Sequence, residues 1–351
     1  MAKCKNSPGG RVNTCSGLLP SEKSELKKAE SVSELLSNCP KNQIIGDNLI
    51  RAWFKINSPK YKKIMCSISG GSDSDVMLDI VWRCDKDDKV DYVWFDTGLE
   101  YQATKDHIKY LEEKYGITIN RYKAKKPIPT CCKEYGQPFI SKHVSEMIYR
   151  LEGHNFKWED AAFEQLYEEY PSCKIALKWW TNQNLSDQFN IRQNKYLKEF
   201  IIQNPPTFKI SNKCCFYAKK KIFHDLVKEQ NYDLNVVGVR RSEGWIRAAA
   251  YKSCFDEMTD YDNYRPLFWY RDSDKRDYID AYRIENSRCY TEYGLLRTGC
   301  AGCPYGRDFE SELEIIDQFE TKLYKAVNNI FRDSYEYTRK YREFRRQMEN
   351  K

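Results

Sequence analysis

Apolar residues in the first half of the chain alternate between short continuous runs and helical spacings. The run "KKIMCSIS", residues 62–69, predicts a buried strand, and apolar residues then recur at helical spacing from Val76 to Cys84. A second buried strand is predicted over "VDYVWFD", residues 90–96, followed by a helix that ends at Gly116 and a short strand over residues 118–122. This alternation predicts an α/β fold with a doubly wound, mainly parallel sheet.

The remaining segments differ from this pattern. Residues 1–45 are rich in Ser, Lys, Asn, Pro and Gly, which predicts a flexible N-terminal extension. Residues 46–307 form the predicted α/β domain, with a helical insertion at about 141–212 and a further strand over residues 234–240. Residues 308–351 predict a helical C-terminal segment, since acidic residues come first and basic residues last, as a helix dipole favours.

Composition narrows the class of protein. No apolar stretch approaches the roughly 20 residues of a membrane-spanning helix and the N-terminus lacks the apolar centre of a secretory signal, so we expect a cytoplasmic protein without a membrane partner. The 14 cysteines then favour core residues, metal ligands or reactive thiols over a disulfide framework. A net charge of +7 favours anionic partners, but it is small for 351 residues.

The first predicted strand ends in a sharp turn, "SGGSDS", residues 69–74. Gly70 and Gly71 permit positive φ and close backbone approach, so successive amides can face one concavity and hold phosphate oxygens with help from the helix dipole. Asp73 would repel a phosphate unless Mg²⁺ lies between them or the carboxylate anchors the loop. The turn lacks the lysine and spacing of a Walker A loop.

"SGGSDS" resembles the SGGxDS pyrophosphate loop (PP-loop) of ATP pyrophosphatases, which share a fold with phosphoadenosine phosphosulfate (PAPS) reductases. "FDTGLEYQAT", residues 95–104, resembles the DTG segment of the same group. The resemblance implies an adenine nucleotide alpha hydrolase-like fold that binds ATP with Mg²⁺. The nucleotide-binding residues that it implies are Ser69, Gly70, Gly71, Ser72, Asp73, Ser74, Asp96, Thr97 and Gly98.

Two later segments extend the resemblance over roughly residues 45–307. "GVRRSEGWIR", residues 238–247, resembles the GxRRxxSxxR segment, although Gly244 stands at the usual serine. "RPLFWYRDSDKRDYI", residues 265–279, is similar to a PLxxW-type segment. The resemblance implies that Arg240, Arg241 and Arg247 hold anionic groups of the substrate, with exposed surface arginines as the alternative.

Two cysteine pairs suggest a metal centre. Cys214 and Cys215 are adjacent, and Cys300 and Cys303 form a CxxC. Adjacent cysteines are awkward ligands for tetrahedral zinc but can reach two irons of a larger cluster, so iron–sulfur is preferred while zinc and unligated thiols stay open. The arrangement resembles the cluster ligands of adenosine phosphosulfate (APS) reductases, which implies a 4Fe-4S cluster.

The chain departs from the sulfonucleotide reductases in two ways. Those enzymes attack the substrate with a C-terminal cysteine, whereas no cysteine follows Cys303 here, and they carry a modified loop where this chain keeps the full SGGxDS. Both departures favour ATP. A second adjacent pair, Cys131 and Cys132, consists of either core thiols or a carrier of sulfur, and the four scattered histidines predict no catalytic role.

The resemblance implies an ATP pyrophosphatase that adenylates an acceptor for sulfur transfer, as DNA phosphorothioation and tRNA thiolation enzymes do. It also implies DNA or tRNA as acceptor and a sulfur donor such as a cysteine desulfurase. One alternative is an APS or PAPS reductase that obtains its thiol elsewhere. Another is a nucleic-acid-binding accessory protein in which the cluster is structural.

Overall fold

The computed structural model describes residues 26–244, 251–306 and 308–350. Six strands in these ranges form one sheet with the order β3-β2-β1-β4-β6-β5. Their bounds are β1 Ile64–Ile68, β2 Val90–Asp96, β3 Ile119–Lys123, β4 Leu234–Val236, β5 Phe255–Asp256 and β6 Asp262–Tyr264. All neighbours pair in parallel except β5 and β6, which pair antiparallel. The predicted α/β fold with a mainly parallel sheet is confirmed.

Helices flank the sheet and are joined by loops and short turns. The helices before the insertion are α1 Val32–Leu36, α2 Gln43–Ile56, α3 Ser72–Cys84, α4 Gln102–Tyr115 and α5 Ile128–Tyr135. Those from the insertion to β4 are α6 Lys142–Glu152, α7 Phe163–Glu169, α8 Lys174–Trp180, α9 Leu197–Gln203, α10 Lys213–Cys215 and α11 Lys221–Gln230. The last ones are α12 Asp272–Tyr282, α13 Arg288–Thr291, α14 Phe309–Phe319 and α15 Thr321–Glu349.

Helices cover both faces of the sheet, as in a doubly wound fold. In β1, Ile64 and Cys66 pack into a core with α2, α3 and α4, while Met65 between them packs into a second core with Leu226 and Val227 of α11. Side chains alternate between the two faces of a strand, so a strand buried on both faces reads as a continuous apolar run. This explains why the sequence pattern located β1 and β2 closely.

The phosphate-loop helix α3 is anchored by a buried carboxylate. Asp79 is fully buried and accepts hydrogen bonds from Arg83 Nε at 2.7 Å, Tyr115 Oη at 3.0 Å and Tyr278 Oη at 2.7 Å. Because Tyr115 belongs to α4 and Tyr278 to α12, the carboxylate ties three helices together. A buried charge is tolerated when it is paired and hydrogen-bonded in this way.

The predicted N-terminal extension contains structure where it is described. Ser31 caps α1 by accepting from the Glu34 amide, and Asn42 caps α2. Ala29 and Leu35 are buried in the same core as β1. Residues 26–45 therefore pack against the domain, which the weak amphipathic pattern of this stretch did not predict.

The predicted insertion is helical and has its own apolar core. Trp179, Trp180 and Phe200 are fully buried there, together with Tyr337 and Tyr341 of α15. The C-terminal segment is two helices, because the chain breaks at Glu320 between α14 and α15. Every helix in the described ranges is too short or too polar to cross a membrane.

Candidate functional site

The winding of the sheet reverses between β1 and β4. The chain runs outward from β1 through β2 to β3 and then crosses to the other side of β1 with β4. In open α/β sheets, ligands bind beyond the carboxyl ends of the strands at such a reversal. The turn at residues 69–74 follows β1, and the loop at residues 237–240 follows β4. The two loops are in contact, because a Cβ on Gly238 would lie 3.1 Å from the Asp73 carbonyl oxygen. We call the region beyond the strand ends that these two loops border the crevice.

Both glycines of the turn are required by close packing. Gly70 has φ +68°, and a Cβ there would lie 2.9 Å from Thr104 Cγ2. A Cβ on Gly71 would lie 2.9 Å from Thr298 Oγ1. The Ser69 amide donates to Ser74 Oγ at 2.9 Å, which closes the turn. No larger residue fits at either glycine without a shift of its neighbours.

The first turn of α3 directs backbone amides into the crevice. The amides of Ser72, Asp73 and Ser74 lack an acceptor within the helix because they form its first turn. The Ser72 amide donates to Tyr290 Oη at 3.3 Å, and this hydroxyl hydrogen-bonds Thr298 Oγ1 at 3.2 Å. Amides at a helix N-terminus favour anions. Tyr290 and Thr298 line the same space, although no sequence motif pointed to them.

Asp73 binds two cations. Its Oδ1 lies 2.8 Å from Arg240 Nε and 2.9 Å from Lys275 Nζ. Arg240 is buried and also contacts Ser242 Oγ at 3.0 Å and Asp272 Oδ1 at 2.7 Å. Sequence reasoning found Arg240 but missed Lys275, which comes from α12. A magnesium ion on this carboxylate oxygen does not fit the arrangement, since two protein cations already occupy it.

Arg241, the second predicted arginine, is not brought to this carboxylate. Arg241 is exposed, and its guanidinium carbon lies 5.8 Å from the ring centroid of Trp269, which is itself exposed. Arg247 lies outside the described residues. Of the three predicted anion-binding arginines, the structure therefore places Arg240 at the turn.

The end of β2 carries the DTG segment. The Gly98 amide donates to Asp96 Oδ1 at 2.9 Å, and Arg121 Nε donates to Asp96 Oδ2 at 2.9 Å. Burial opposes ionisation of Asp96, but these donors, Arg121 first, hold its pKa below the ordinary value. Gly98 has φ +87° and packs on Pro127, so the backbone turns away from the sheet here. β2 is the parallel neighbour of β1, so the DTG segment and the turn at residues 69–74 lie at the same edge of the sheet.

This loop is bonded directly to the CxxC segment. Thr97 Oγ1 donates to Glu100 Oε1 at 2.7 Å and lies 3.6 Å from Cys300 Sγ. The Ala301 amide donates to the Leu99 carbonyl at 2.9 Å. The CxxC segment is therefore connected directly to the loop that carries the predicted nucleotide-binding residues Asp96, Thr97 and Gly98.

The four predicted cluster cysteines lie in one region with a fifth thiol. Cys214 hydrogen-bonds Cys132 and Cys215, and it is close enough to Cys303 for an electrostatic interaction. Cys300 and Cys303 both interact with Cys215. The hydrogen bond to Cys132 is the main cause of a raised pKa at Cys214, and burial raises the pKa of Cys303 to about 12. We call these five residues the thiol group.

Thiols are the donors that an iron–sulfur cluster requires, and the thiol group supplies five of them. In the described ranges, no three His, Cys, Asp or Glu side chains are arranged to hold a single metal ion. A cubane cluster uses one thiolate for each iron, so its sulfurs stand farther apart than those around one ion. The surroundings are apolar, and the thiols, Cys300 foremost, raise the pKa of Lys219. Four thiols beside a cation fit a cluster of this kind.

The second cysteine pair separates into two environments. Cys131 Sγ donates to the Lys126 carbonyl at 3.2 Å, and burial raises its pKa to about 11. Cys132 instead hydrogen-bonds Cys214. Both are buried on α5, but only Cys132 joins the thiol group by a hydrogen bond described here.

A buried carboxylate–imidazole pair lies behind the turn. Asp75 Oδ2 is 2.8 Å from His107 Nε2, and both side chains are buried. Burial raises the pKa of Asp75, and its Oδ1 has no hydrogen-bond partner in the described part of the chain. No sequence pattern connected these residues, because they come from α3 and α4 and follow no motif.

Two comparisons bear on the family. Residues 63–144 match the model of the phosphoadenosine phosphosulfate reductase domain, a range that contains the turn, the DTG segment and the second cysteine pair. An uncharacterized protein of Methanocaldococcus jannaschii is 29% identical over 164 residues, which is 46% of this chain and 33% of that protein. The chain thus aligns with about a third of that relative's length. The predicted resemblance to the PAPS reductase-like group is confirmed.

Solved structures show weaker similarity. A PAPS reductase from Candida auris in complex with phosphate is 15% identical, with a TM-score of 0.39 over 72% of this chain and 86% of that chain. The U34-tRNA thiolase NcsA from Methanococcus maripaludis with its 4Fe-4S cluster is 13% identical, with a TM-score of 0.36 over 87% and 81%. An FMN adenylyltransferase from Candida glabrata is 12% identical, with a TM-score of 0.37 over 80% and 67%. Similarity at this level does not bear on activity.

Proposed function

Residues 63–144 resemble the PAPS reductase domain, and from that premise we propose that the chain is an ATP pyrophosphatase that adenylates an acceptor for sulfur transfer. The observation that carries the proposal is the convergence of the α3 amides and Arg240 at the reversal point of the sheet. Such a crevice provides fixed donors and positive charge for a polyphosphate, and it has the full SGGxDS loop.

In this proposal, the amides of residues 69–74 hold the β- and γ-phosphates and the loop at Asp96, Thr97 and Gly98 receives the adenosine. An acceptor oxygen attacks the α-phosphorus, the bond from that phosphorus to the bridging oxygen breaks, and pyrophosphate leaves. Backbone amides and Arg240 stabilise the charge that develops on the leaving group. Positioning supplies most of the catalysis, so no dedicated base is required.

The acceptor is proposed to be an oxygen of DNA or tRNA, with a cysteine desulfurase as the source of sulfur. The terminal sulfur of the carrier persulfide then attacks the atom that bears the adenylated oxygen, the bond to that oxygen breaks and AMP leaves, which gives a disulfide between acceptor and carrier. A thiol reductant supplies the two electrons that cleave this disulfide and releases the thiolated acceptor and the carrier thiol. Cys214, Cys215, Cys300 and Cys303 would hold a 4Fe-4S cluster, which when bound supplies iron for sulfur or electron chemistry. We propose Cys132 rather than Cys131 as the sulfur carrier, because its thiol interacts with that of the predicted cluster ligand Cys214, whereas Cys131 donates to the Lys126 carbonyl.

Pyrophosphate release tests the adenylation step. The protein, purified anaerobically, is incubated with ATP, Mg²⁺ and a tRNA or DNA pool, and pyrophosphate is measured. Gly71→Ala should slow pyrophosphate release at least about tenfold. The added methyl would lie 2.9 Å from Thr298 Oγ1 and would occupy the space beside the turn that the phosphates need. Gly46→Ala, whose Cβ meets only Cys39 Sγ at 3.9 Å, is the matched control and should behave as the wild type.

The result against the proposal would be a folded, iron-loaded protein that releases no pyrophosphate with any acceptor pool. That outcome would favour the nucleic-acid-binding accessory protein. If Gly71→Ala and the wild type release pyrophosphate at equal rates, the release does not take place in this crevice.

The carrier role is tested with a pair of serine variants. Each is charged with a desulfurase-derived persulfide, and bound sulfane sulfur and iron are counted by mass spectrometry and metal analysis. Cys132→Ser should lose the persulfide and keep its iron, while Cys131→Ser, whose thiol binds the Lys126 carbonyl, should keep both. A persulfide retained in Cys132→Ser would remove Cys132 from the pathway, and a loss of iron there would make it a cluster ligand instead.

A sulfonucleotide reductase is the second candidate, since the matched family model is that of PAPS reductases. Incubation with PAPS or APS and a thiol reductant, without ATP, separates the two activities. Rapid sulfite formation under those conditions would replace the ATP reaction as the function of this crevice.

A further inference from the structure

Two cations from different elements converge on one carboxylate oxygen in the crevice. Arg240, from the loop after β4, and Lys275, from α12, lie 2.8 and 2.9 Å from Asp73 Oδ1. Lys275 is not part of any segment that the family resemblance assigns to phosphate binding. Its ammonium nevertheless stands at the first turn of α3, beside Asp73 of the predicted phosphate turn.

The shielded part of this group carries excess positive charge. The side chains of Arg240, Lys275 and Asp73 are 7%, 18% and 21% exposed. Asp272, the other carboxylate on Arg240, is 79% exposed, so water and salt screen its charge. Two shielded cations therefore face one shielded carboxylate, and the N-terminus of α3 adds charge of the same sign. Asp272 still pairs with Arg240 at 2.7 Å, so the four side chains balance in formal charge, and the unequal shielding together with the helix terminus is what favours an added anion.

We infer that Lys275 and Arg240 together bind the phosphates of the nucleotide, while Asp73 holds the two cations in place. This deepens the proposed function and rests on it, because it takes the crevice as the phosphate site. Arg240 is fixed by Ser242 as well as by the two carboxylates, so it acts as a rigid fork. Lys275 has three donors on its ammonium, so it can donate to a phosphate oxygen while it stays paired with Asp73.

Arg240 and Lys275 would neutralise the charge of the phosphates, which is the role that the family resemblance implies for Mg²⁺. A magnesium ion requires oxygen ligands in octahedral geometry, usually one or two carboxylates with phosphate oxygens and water. The predicted carboxylate ligand, Asp73, has its Oδ1 bonded to both cations. A divalent cation placed there would be repelled by the guanidinium and the ammonium. Pyrophosphate should therefore bind this crevice without a divalent cation.

Calorimetric titration of the full chain with inorganic pyrophosphate tests the inference, once in EDTA and once with Mg²⁺. The wild type should bind in EDTA. Lys275→Met keeps the apolar stem, leaves Asp73 paired with Arg240 and should weaken binding in EDTA about tenfold or more, as expected for a lost hydrogen bond between charged groups. Lys275→Arg restores the charge and should stay within about threefold of the wild type. The neighbouring exposed Arg276→Met is the matched control and should not change the affinity.

Each outcome of the titration either supports the inference or contradicts it. Equal affinity of Lys275→Met and wild type in EDTA would remove Lys275 from the phosphate site. Wild-type binding that appears only with Mg²⁺ would restore the metal and overturn the inference, while leaving the adenylation proposal in place. Failure of the wild type to bind pyrophosphate or ATP under either condition would overturn the proposed function itself. Thermal unfolding followed by circular dichroism identifies any variant that loses affinity through misfolding.

Discussion

A single methyl group at Gly136 tests the contact that joins α5, the helix of Cys132, to the insertion. Gly136 has φ +109°, and a Cβ there would lie 2.3 Å from the Lys209 carbonyl oxygen and 2.5 Å from its carbon. The Gln137 amide donates to the same carbonyl at 2.8 Å. Backbone strain for a residue with a Cβ costs roughly 1–3 kcal/mol, and loss of the hydrogen bond adds about 0.5–1.5 kcal/mol. Gly136→Ala should therefore destabilise by about 3 kcal/mol.

Gly116→Ala is the matched control. Gly116 also has a positive φ, +63°, at the end of α4, but no described atom lies within 4 Å of its Cβ position. The left-handed conformation alone should cost about 1 kcal/mol. Urea unfolding, followed by circular dichroism and by tryptophan fluorescence from the insertion, measures both. If the two variants lose the same free energy of unfolding within about 0.5 kcal/mol, the steric argument at Lys209 is wrong.

Two further predictions concern buried polar groups. Burial raises the pKa of Glu152 from 4.5 to about 7, so the stability present below pH 4.5 is lost as the pH rises through 7. Glu152→Gln should flatten the pH dependence of the urea midpoint between pH 5 and 8 and raise it at pH 8, and parallel profiles would contradict this. Tyr278→Phe removes a donor to the buried Asp79 and should cost about 1.5–3 kcal/mol. Tyr282→Phe, whose hydroxyl has no partner in the described chain, should cost little, and equal losses would rule out the Asp79 bond as the cause.

Elements whose signal is local were predictable. β1 and β2 are buried on both faces and read as apolar runs, so pattern and structure agree within two residues for β1 and at both ends for β2. Gly116 ends α4 in the left-handed conformation, as its position after the last apolar helical residue predicted. β5 and β6 have two and three residues and include polar side chains, which leaves no period to detect.

The residues of the candidate site also fall into those that a local motif predicted and those that no motif predicted. The turn at residues 69–74 and the DTG segment were visible because each is a short motif at the end of a strand. Lys275, Tyr290 and Thr298 were not, since they reach the turn from separate elements far along the chain. The choice between Cys131 and Cys132 was open in the sequence because adjacent residues on a helix have the same composition around them and differ only in direction.

The sequence by itself determined the α/β alternation, the glycines of the turn and the cysteine pairs, because strand period, helix period and turn geometry act over a few residues. Only the tertiary structure decided which cations meet Asp73, since Arg240 is 167 residues away along the chain. It also decided that Cys132, and not Cys131, bonds Cys214. Such contacts depend on how β4, α12 and α5 pack around β1, and packing over long separations follows from the shape of the whole core and leaves no local pattern.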